Sequence, residues 1–198
     1  HLSQWWTWTP GASWRRPVGR HSSIDKRVDH PVVHVAAEDA EAYAAWAGLA
    51  LPTEAEWETA ARGGLTHTTY TWGDEPELPG QRLANYWHGE FPWRPDPGYG
   101  RTSPVGSFPA NGYGLFDMAG NVWEWTSDWY DDTRAGDPCC EAGSYDSAQP
   151  QFKVPRKVIK GGSFLCADNY CLRYRPAARR PQMIDTGMSH IGFRCVKR

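Results

Sequence analysis

The chain has 198 residues, enough for one domain with a sizeable core, and its net charge of −2 leaves no electrostatic footprint for nucleic acid or an anionic membrane. Its 12 Trp, 20 Gly and 16 Pro, with 40% hydrophobic residues, argue against long helices and for a turn-rich fold in which tryptophan supplies much of the buried area. Apolar runs such as "VIKGGSFL" are short and interrupted, so no membrane span is expected, and five cysteines fit a reducing compartment better than a disulfide scaffold.

Residues 1–30 mix Trp and Arg with Pro and Gly and read as irregular. His1 is not a natural initiator, so an upstream targeting segment stays open. "HPVVHV" (30–35) reads as a short strand. "AAEDAEAYAAWAG" is strongly helix-forming, with Gly48 as its terminator. "LPTEAEWETAARGG" is a better-marked helix: Thr53 and Glu56 stand at capping-box spacing and Gly63 ends the run. From 65 to 160 the chain is mostly loop, including the turn-rich "NGYGLFDMAGNVWEW" (111–125) and a surface loop at 143–151. "RKVIKGGSF" and "HIGFRCV" read as strands. No repeat or linker divides the chain, and the class is mixed α and β with little regular structure.

Three groups of residues carry chemistry. In "GGSFLCADNYC" (161–171), Cys166 and Cys171 form a C-x4-C pair behind a Gly-Gly turn. Spacing alone leaves structural thiols, a disulfide, half a zinc site, a redox pair or a soft-metal pair. No second C-x-x-C completes a zinc site, and thioredoxin-like chemistry uses C-x-x-C at a helix start, whereas two loop thiolates suit Cu(I). Asp117 and Glu124 bracket a tight Gly-containing loop whose oxygen donors suit Ca²⁺, with turn chemistry and surface charge as the ordinary alternative. "CLRYRPAARR" places Arg173, Arg175, Arg179 and Arg180 behind Cys171, where they either act on thiols and peptide groups or pair with scattered acids. His30 and His34 lie about 13 Å apart if extended, too far to share a metal, and read as ordinary structural histidines.

Taken together, "DHPVVHV", "LPTEAEWE", "RGG", "NGYGLFDMAGNVWEWTSDW", "GGSFLCADNYCLRYRPAAR" and the closing "GFRC" closely resemble the sulfatase-modifying factor family, the formylglycine-generating enzymes. The likeness runs from near residue 5 to the C-terminus. Several of these words are shared with the wider superfamily, including iron-dependent sulfoxide synthases, whereas the paired cysteines mark the formylglycine generators.

The resemblance implies an α+β fold of low regular secondary structure, similar to a C-type-lectin-like domain. It implies an oxidase that uses O₂ to convert the cysteine of a C-x-P-x-R segment to Cα-formylglycine in an unfolded or nascent sulfatase. Cys166 and Cys171 match the residues that bind Cu(I) almost linearly. Ser163 and Tyr170 match positions that hydrogen-bond around metal and substrate, and Trp123 matches a tryptophan lining the oxygen pocket. The family is also calcium-dependent: Asp117, Gly120, Val122 and Glu124 match one site, Asn85, Tyr86 and Tyr99 the other. Pro97 stands where a liganding Asp is expected there, with Asp96 beside it.

Other departures set this chain apart from animal members. Ala44, Ala61 and Pro176 stand at their disulfide positions and Cys195 is left over, which fits a prokaryotic, cytoplasmic protein. "CADNYC" replaces the "CHRSYC" of some members. The chain is expected to be a single catalytic domain, residues 1–198, lacking the portion that precedes "WWTW" in the family. The rival readings are a sulfoxide-synthase-type oxidase, which needs an iron-binding His set, and a non-catalytic lectin-like binding module.

Overall fold

A computed structural model describes residues 6–77, 80–131 and 144–198, so Cys139, Cys140 and the first five residues lie outside the described residues. Both expected helices form. The first, α1 (Ala37–Trp46), opens with the Asp39 carboxylate accepting the Ala36 N–H at 2.9 Å, and Gly48 follows it at φ +68°. The second, α2 (Glu54–Arg62), has the reciprocal box: Glu56 N donates to Thr53 Oγ1 at 3.1 Å and Thr53 N to Glu56 Oε2 at 2.8 Å. Gly63 closes it at φ +57° in the left-handed region, where Cβ-bearing residues are disfavoured.

A two-residue hairpin, β1 (Gly89–Glu90) with β2 (Arg94–Pro95), precedes the main sheet. That sheet comprises β3 (Trp123–Trp129), β4 (Arg156–Lys160), β5 (Arg180–Met183) and β6 (Ile191–Gly192), in the order β5-β4-β3-β6. It is antiparallel except where β3 runs parallel to β6. The core gathers on it: Trp123, Trp125, Ile159 and Ile191 pack with Val35, Ala40, Ala44 and Leu51, and with Cys166 and Tyr174. Ala44 and Ala61 are both buried.

β4 reads as charged, "RKVIK", yet all five residues are buried because each charge is met. Lys160 pairs with Glu54 and Glu58 at 3.4 and 3.2 Å, Lys157 donates to the Ser127 carbonyl and pairs with Glu41, and Arg156 donates to the Ser144 and Tyr145 carbonyls. Strand β4 thereby ties the sheet to α2, the element that braces the site described below.

Three expectations change. Residues 30–35 are not a strand: His34 takes φ +59°, which breaks an extended run, and its ring bonds the Pro17 carbonyl while His30 bonds Thr102. The surface loop expected at 143–151 does run at the surface over its described residues 145–151, and what changes is only its root, a fully buried Ser144 that holds Arg156. Tryptophan is also less internal than its number implies. Trp57, Trp87, Trp123 and Trp125 are buried, but Trp6, Trp8, Trp14, Trp46 and Trp93 are exposed. No helix among the described residues is long and apolar enough to cross a membrane.

Candidate active site

Strand β4 delivers the chain to Gly161 and Gly162, at φ +90° and +70°. A Cβ on Gly161 would meet the Trp57 ring at 2.9 Å, and one on Gly162 would meet the Tyr174 backbone at 2.8 Å. The double glycine is therefore a clearance requirement as well as a turn.

The segment that follows is bonded on both sides. Phe164 N donates to the Asn121 carbonyl at 3.0 Å, and Trp87 N to the Cys166 carbonyl at 2.8 Å. Cys171 N closes a turn onto the Ala167 carbonyl at 2.8 Å, and this turn swings Cys171 back over Cys166. Both thiols are free, and they sit close enough for each to shift the titration of the other. Cys166 is 2% exposed and packs in the core cluster with Trp123, whereas Cys171 is half-buried at its edge.

The electrostatics differ between the two sulfurs. The neighbouring Cys166 thiol draws the Cys171 pKa down to about 6, helped by the Arg173 backbone N–H and charge. Cys166 is pushed upward by Cys171 and by its burial. Cys171 is thus the thiol that ionises first, and the thiolate is the nucleophilic and metal-binding form.

Tyr170, 55% exposed, stacks on Phe91 at 4.8 Å, and Phe91 meets the Trp87 ring edge-on at 5.2 Å. Ser163 is fully buried; its carbonyl accepts the Cys166 N–H at 2.9 Å and its hydroxyl the Leu165 N–H at 3.3 Å. Ser163 therefore sits under the loop as a brace. Below the loop, Tyr174 stacks on Tyr86 at 4.3 Å, and its hydroxyl donates to Asp168. Neither Asp168 nor Tyr174 stood out by spacing; only the altered "CADNYC" word marked the place.

The carboxylate loop curls through left-handed Asp117, Gly120 and Asn121. Asp117 Oδ2 accepts the Gly106 N–H at 2.8 Å, and burial pushes its pKa up. Glu124, on β3, accepts from Trp57 Nε1 at 2.6 Å and from Arg194 Nε and Nη2 at 2.6 and 2.7 Å. Arg194 Nη2 also donates to the Phe116 and Asp117 carbonyls. A guanidinium therefore already serves this loop, and sequence reasoning did not anticipate it.

At the other oxygen-donor set, Asn85 is 1% exposed. Its Nδ2 donates to the Arg101 carbonyl at 2.9 Å and Ser103 Oγ at 3.1 Å, while its Oδ1 has no partner. Asn121 N donates to the Asn85 carbonyl at 2.7 Å, and residues 85 and 120 form a bridge, so the two loops are joined. Tyr99 lies over His88 at 4.2 Å, and the Asp96 carboxylate faces Arg82 at 3.7 Å.

The sulfatase-modifying factor enzyme 1-like domain matches residues 2–198, and the chain belongs to that family. It is 56% identical to a formylglycine-generating enzyme of Mycobacterium tuberculosis, over 98% of this chain and 66% of that protein. It is 39% identical to an inactive Cα-formylglycine-generating enzyme 2 of Bos taurus, over 97% of this chain and 58% of that protein. The chain therefore spans about two thirds or less of the length of the curated relatives it matches. Among solved structures, the Treponema denticola variable protein 1 superposes with a TM-score of 0.64 at 22% identity, over 92% of this chain and 76% of that one, a likeness of fold.

Proposed function

We propose that this chain is a copper-dependent oxidase that converts the cysteine of a C-x-P-x-R segment in a newly made sulfatase to Cα-formylglycine, with O₂ as oxidant. The observation that carries the reading is the Cys166–Cys171 pair, two free thiols close enough to shift each other's titration, one core-buried and one at the surface, in a family whose relatives bear that enzyme's name.

The donor chemistry fits Cu(I). Among the described residues no group of three or more His, Cys, Asp or Glu side chains could hold a metal, so the His set that an iron oxidase needs is not among them. Two sulfurs alone suit a soft, low-coordinate ion. When bound, Cu(I) would supply the redox chemistry toward O₂. Cys166 and Cys171 would hold it as thiolates, so Cys166 would give up its proton on binding. The Phe91–Tyr170 stack offers an aromatic wall against which an extended peptide can lie, and Trp123 keeps water from the buried side of Cys166. At the substrate, a two-electron oxidation removes a Cβ hydrogen and the thiol proton, water supplies the aldehyde oxygen and the sulfur leaves as hydrogen sulfide. O₂ takes the two electrons and is released as hydrogen peroxide, or as water where an added thiol supplies two more.

Calcium fits unequally. The orphaned Oδ1 of Asn85 is a buried acceptor that a cation can satisfy, and Tyr86 follows it in the chain, so Asn85 itself fits an oxygen-donor site. The Asp117–Glu124 set offers a half-buried carboxylate at Asp117, but Arg194 already neutralises Glu124. Asn85 is therefore the better-supported position.

The test is mass spectrometry of a C-x-P-x-R peptide incubated with copper-loaded protein and O₂. Cys166→Ser and Cys171→Ser should each abolish aldehyde formation. Full turnover in either would remove the reading. A wild-type protein that binds the peptide but never converts it would be a binding module instead.

A further inference from the structure

The arginines that follow Cys171 do not act as a set: Arg179 Nε donates to Glu54 at 2.9 Å and Arg175 Nε to the Leu172 carbonyl at 2.9 Å. A different group of cations gathers on a cleft. Lys26, Arg27 and Arg101, with His30 and Thr102, line one open cavity of about 570 Å³. Arg27, Arg101 and Thr102 also line an adjoining cavity of about 180 Å³, whose walls include Val18, Val33 and Phe164.

The frame behind these side chains is held by hydrogen bonds. Arg27 N donates to the Ile24 carbonyl at 2.7 Å and His30 N to the Arg27 carbonyl at 3.0 Å, so this stretch turns twice in succession. Val105 N donates to the Asp29 carbonyl at 2.8 Å, and His30 Nδ1 lies 2.9 Å from Thr102 Oγ1. These two contacts join the turns to the segment that bears Arg101. The Arg101 carbonyl in turn accepts from the buried Asn85 side chain at 2.9 Å. Arg27 is half-buried, whereas Lys26 and Arg101 are exposed.

Among the described residues, Lys26, Arg27 and Arg101 enter no ion pair. The acids nearby are engaged elsewhere. Asp25, which also lines the larger cavity, accepts from Ser23 Oγ at 2.9 Å, and Asp29 faces His30 Nε2 at 4.0 Å. Three fixed positive charges against one lining carboxylate leave the cleft positive, and the apolar walls of the adjoining cavity concentrate that field. The donors come from two separate segments of chain, and guanidinium forks match the edges of phosphate or sulfate. A tetrahedral oxyanion can turn different edges to Arg27 and Arg101 at once, whereas a carboxylate has a single edge to offer.

We propose that Lys26, Arg27 and Arg101 form a binding site for a tetrahedral oxyanion, the dianionic head of a phosphate or sulfate. Neither thiol lines either cavity, and the site does not depend on the oxidase reading. A free ion and an ester present the same head, and a cleft of this size has room for a small ester.

The protein, in calcium-free buffer at a pH where phosphate is dianionic, is titrated by calorimetry with inorganic phosphate, sulfate and O-phosphoserine. Acetate and chloride serve as controls, and ionic strength is held constant. Phosphate or sulfate should bind saturably and about tenfold or more tighter than acetate. Tighter binding of O-phosphoserine than of phosphate assigns the head to an ester and weaker binding to a free ion; each upholds the site. Arg101→Gln and Arg27→Gln should each weaken phosphate about tenfold, Lys26→Gln should weaken it less, and Arg27→Lys should keep part of the affinity. Thermal melts without ligand show whether each variant folds. If Arg27→Gln does not, the exposed positions Arg101 and Lys26 decide. The proposal is overturned if no anion binds saturably, or if acetate or chloride binds as well as phosphate. It is overturned equally if phosphate affinity is unchanged in both Arg101→Gln and Lys26→Gln.

Discussion

Tyr174 donates its hydroxyl to the Asp168 carboxylate, so a ring 2% exposed anchors the middle of the loop whose ends are Cys166 and Cys171. The ring is itself fixed by stacking on Tyr86, with Tyr70 and Trp72 beyond. Tyr174→Phe keeps the stack and cuts the anchor. It should cost about 1–2 kcal/mol in a denaturant melt, the scale of one hydrogen bond to a charged group. It should also loosen the thiol pair, read as faster alkylation of Cys166.

The unequal thiols predict selective chemistry in the metal-free protein. Cys171, with its pKa drawn down to about 6, should be labelled by iodoacetamide well before Cys166, at a rate that is half-maximal near pH 6. Cys166→Ala removes that neighbour and should move the midpoint upward. Peptide mapping of labelled protein reads both outcomes, and equal labelling of the two cysteines would contradict the asymmetry.

Glu124 is 5% exposed and depends on two donors from distant parts of the chain. Trp57→Phe removes one neutral donor and should cost about 1–3 kcal/mol. Arg194→Met strands the carboxylate without its counter-charge and should cost about 3–5 kcal/mol. Urea melts of the two variants should rank in that order.

His190 gives a pH signature. Burial, with the nearby Arg180 charge, lowers its pKa to about 3, whereas in the unfolded chain it titrates near 6.5. Between those values the unfolded state binds the extra proton, so stability falls as pH drops through that window. At pH 5 the loss relative to pH 7 should be about 2 kcal/mol. His190→Gln should flatten this part of the stability profile; an unchanged slope would show that other groups set it.

Calcium binding is testable without turnover. At a free concentration 100 times its Kd, the ion should stabilise the fold by about 2.7 kcal/mol, and chelation should lower the melting temperature accordingly. Asn85→Leu should abolish that response, because its Oδ1 is the acceptor left open. An unaffected melt in the wild type would count against Asn85, Tyr86 and Tyr99 as ligands.

Local rules made the two helices legible, since a Thr–Glu box and a left-handed Gly need no tertiary knowledge. The thiol word drew notice by its spacing, but that spacing left several chemistries open and only the family resemblance chose among them. The Glu124 cage was hidden: Trp57 and Arg194 are 67 and 70 residues away from it in sequence, and nothing local announces such a pairing. The same holds for β4, whose buried lysines are explained only by α2 and by strand β3. The expected strand at 30–35 failed because a β-like composition says nothing about the left-handed turn at His34.

Gly161 and Gly162 leave no slack beside Trp57 and Tyr174, so even a methyl group cannot be admitted there. A rigid receptor of this kind shifts every adjustment onto its visitor. If the thiol loop is the reaction centre, a target segment must arrive pliant enough to be drawn out along it, and a polypeptide already locked into its mature shape would come too late.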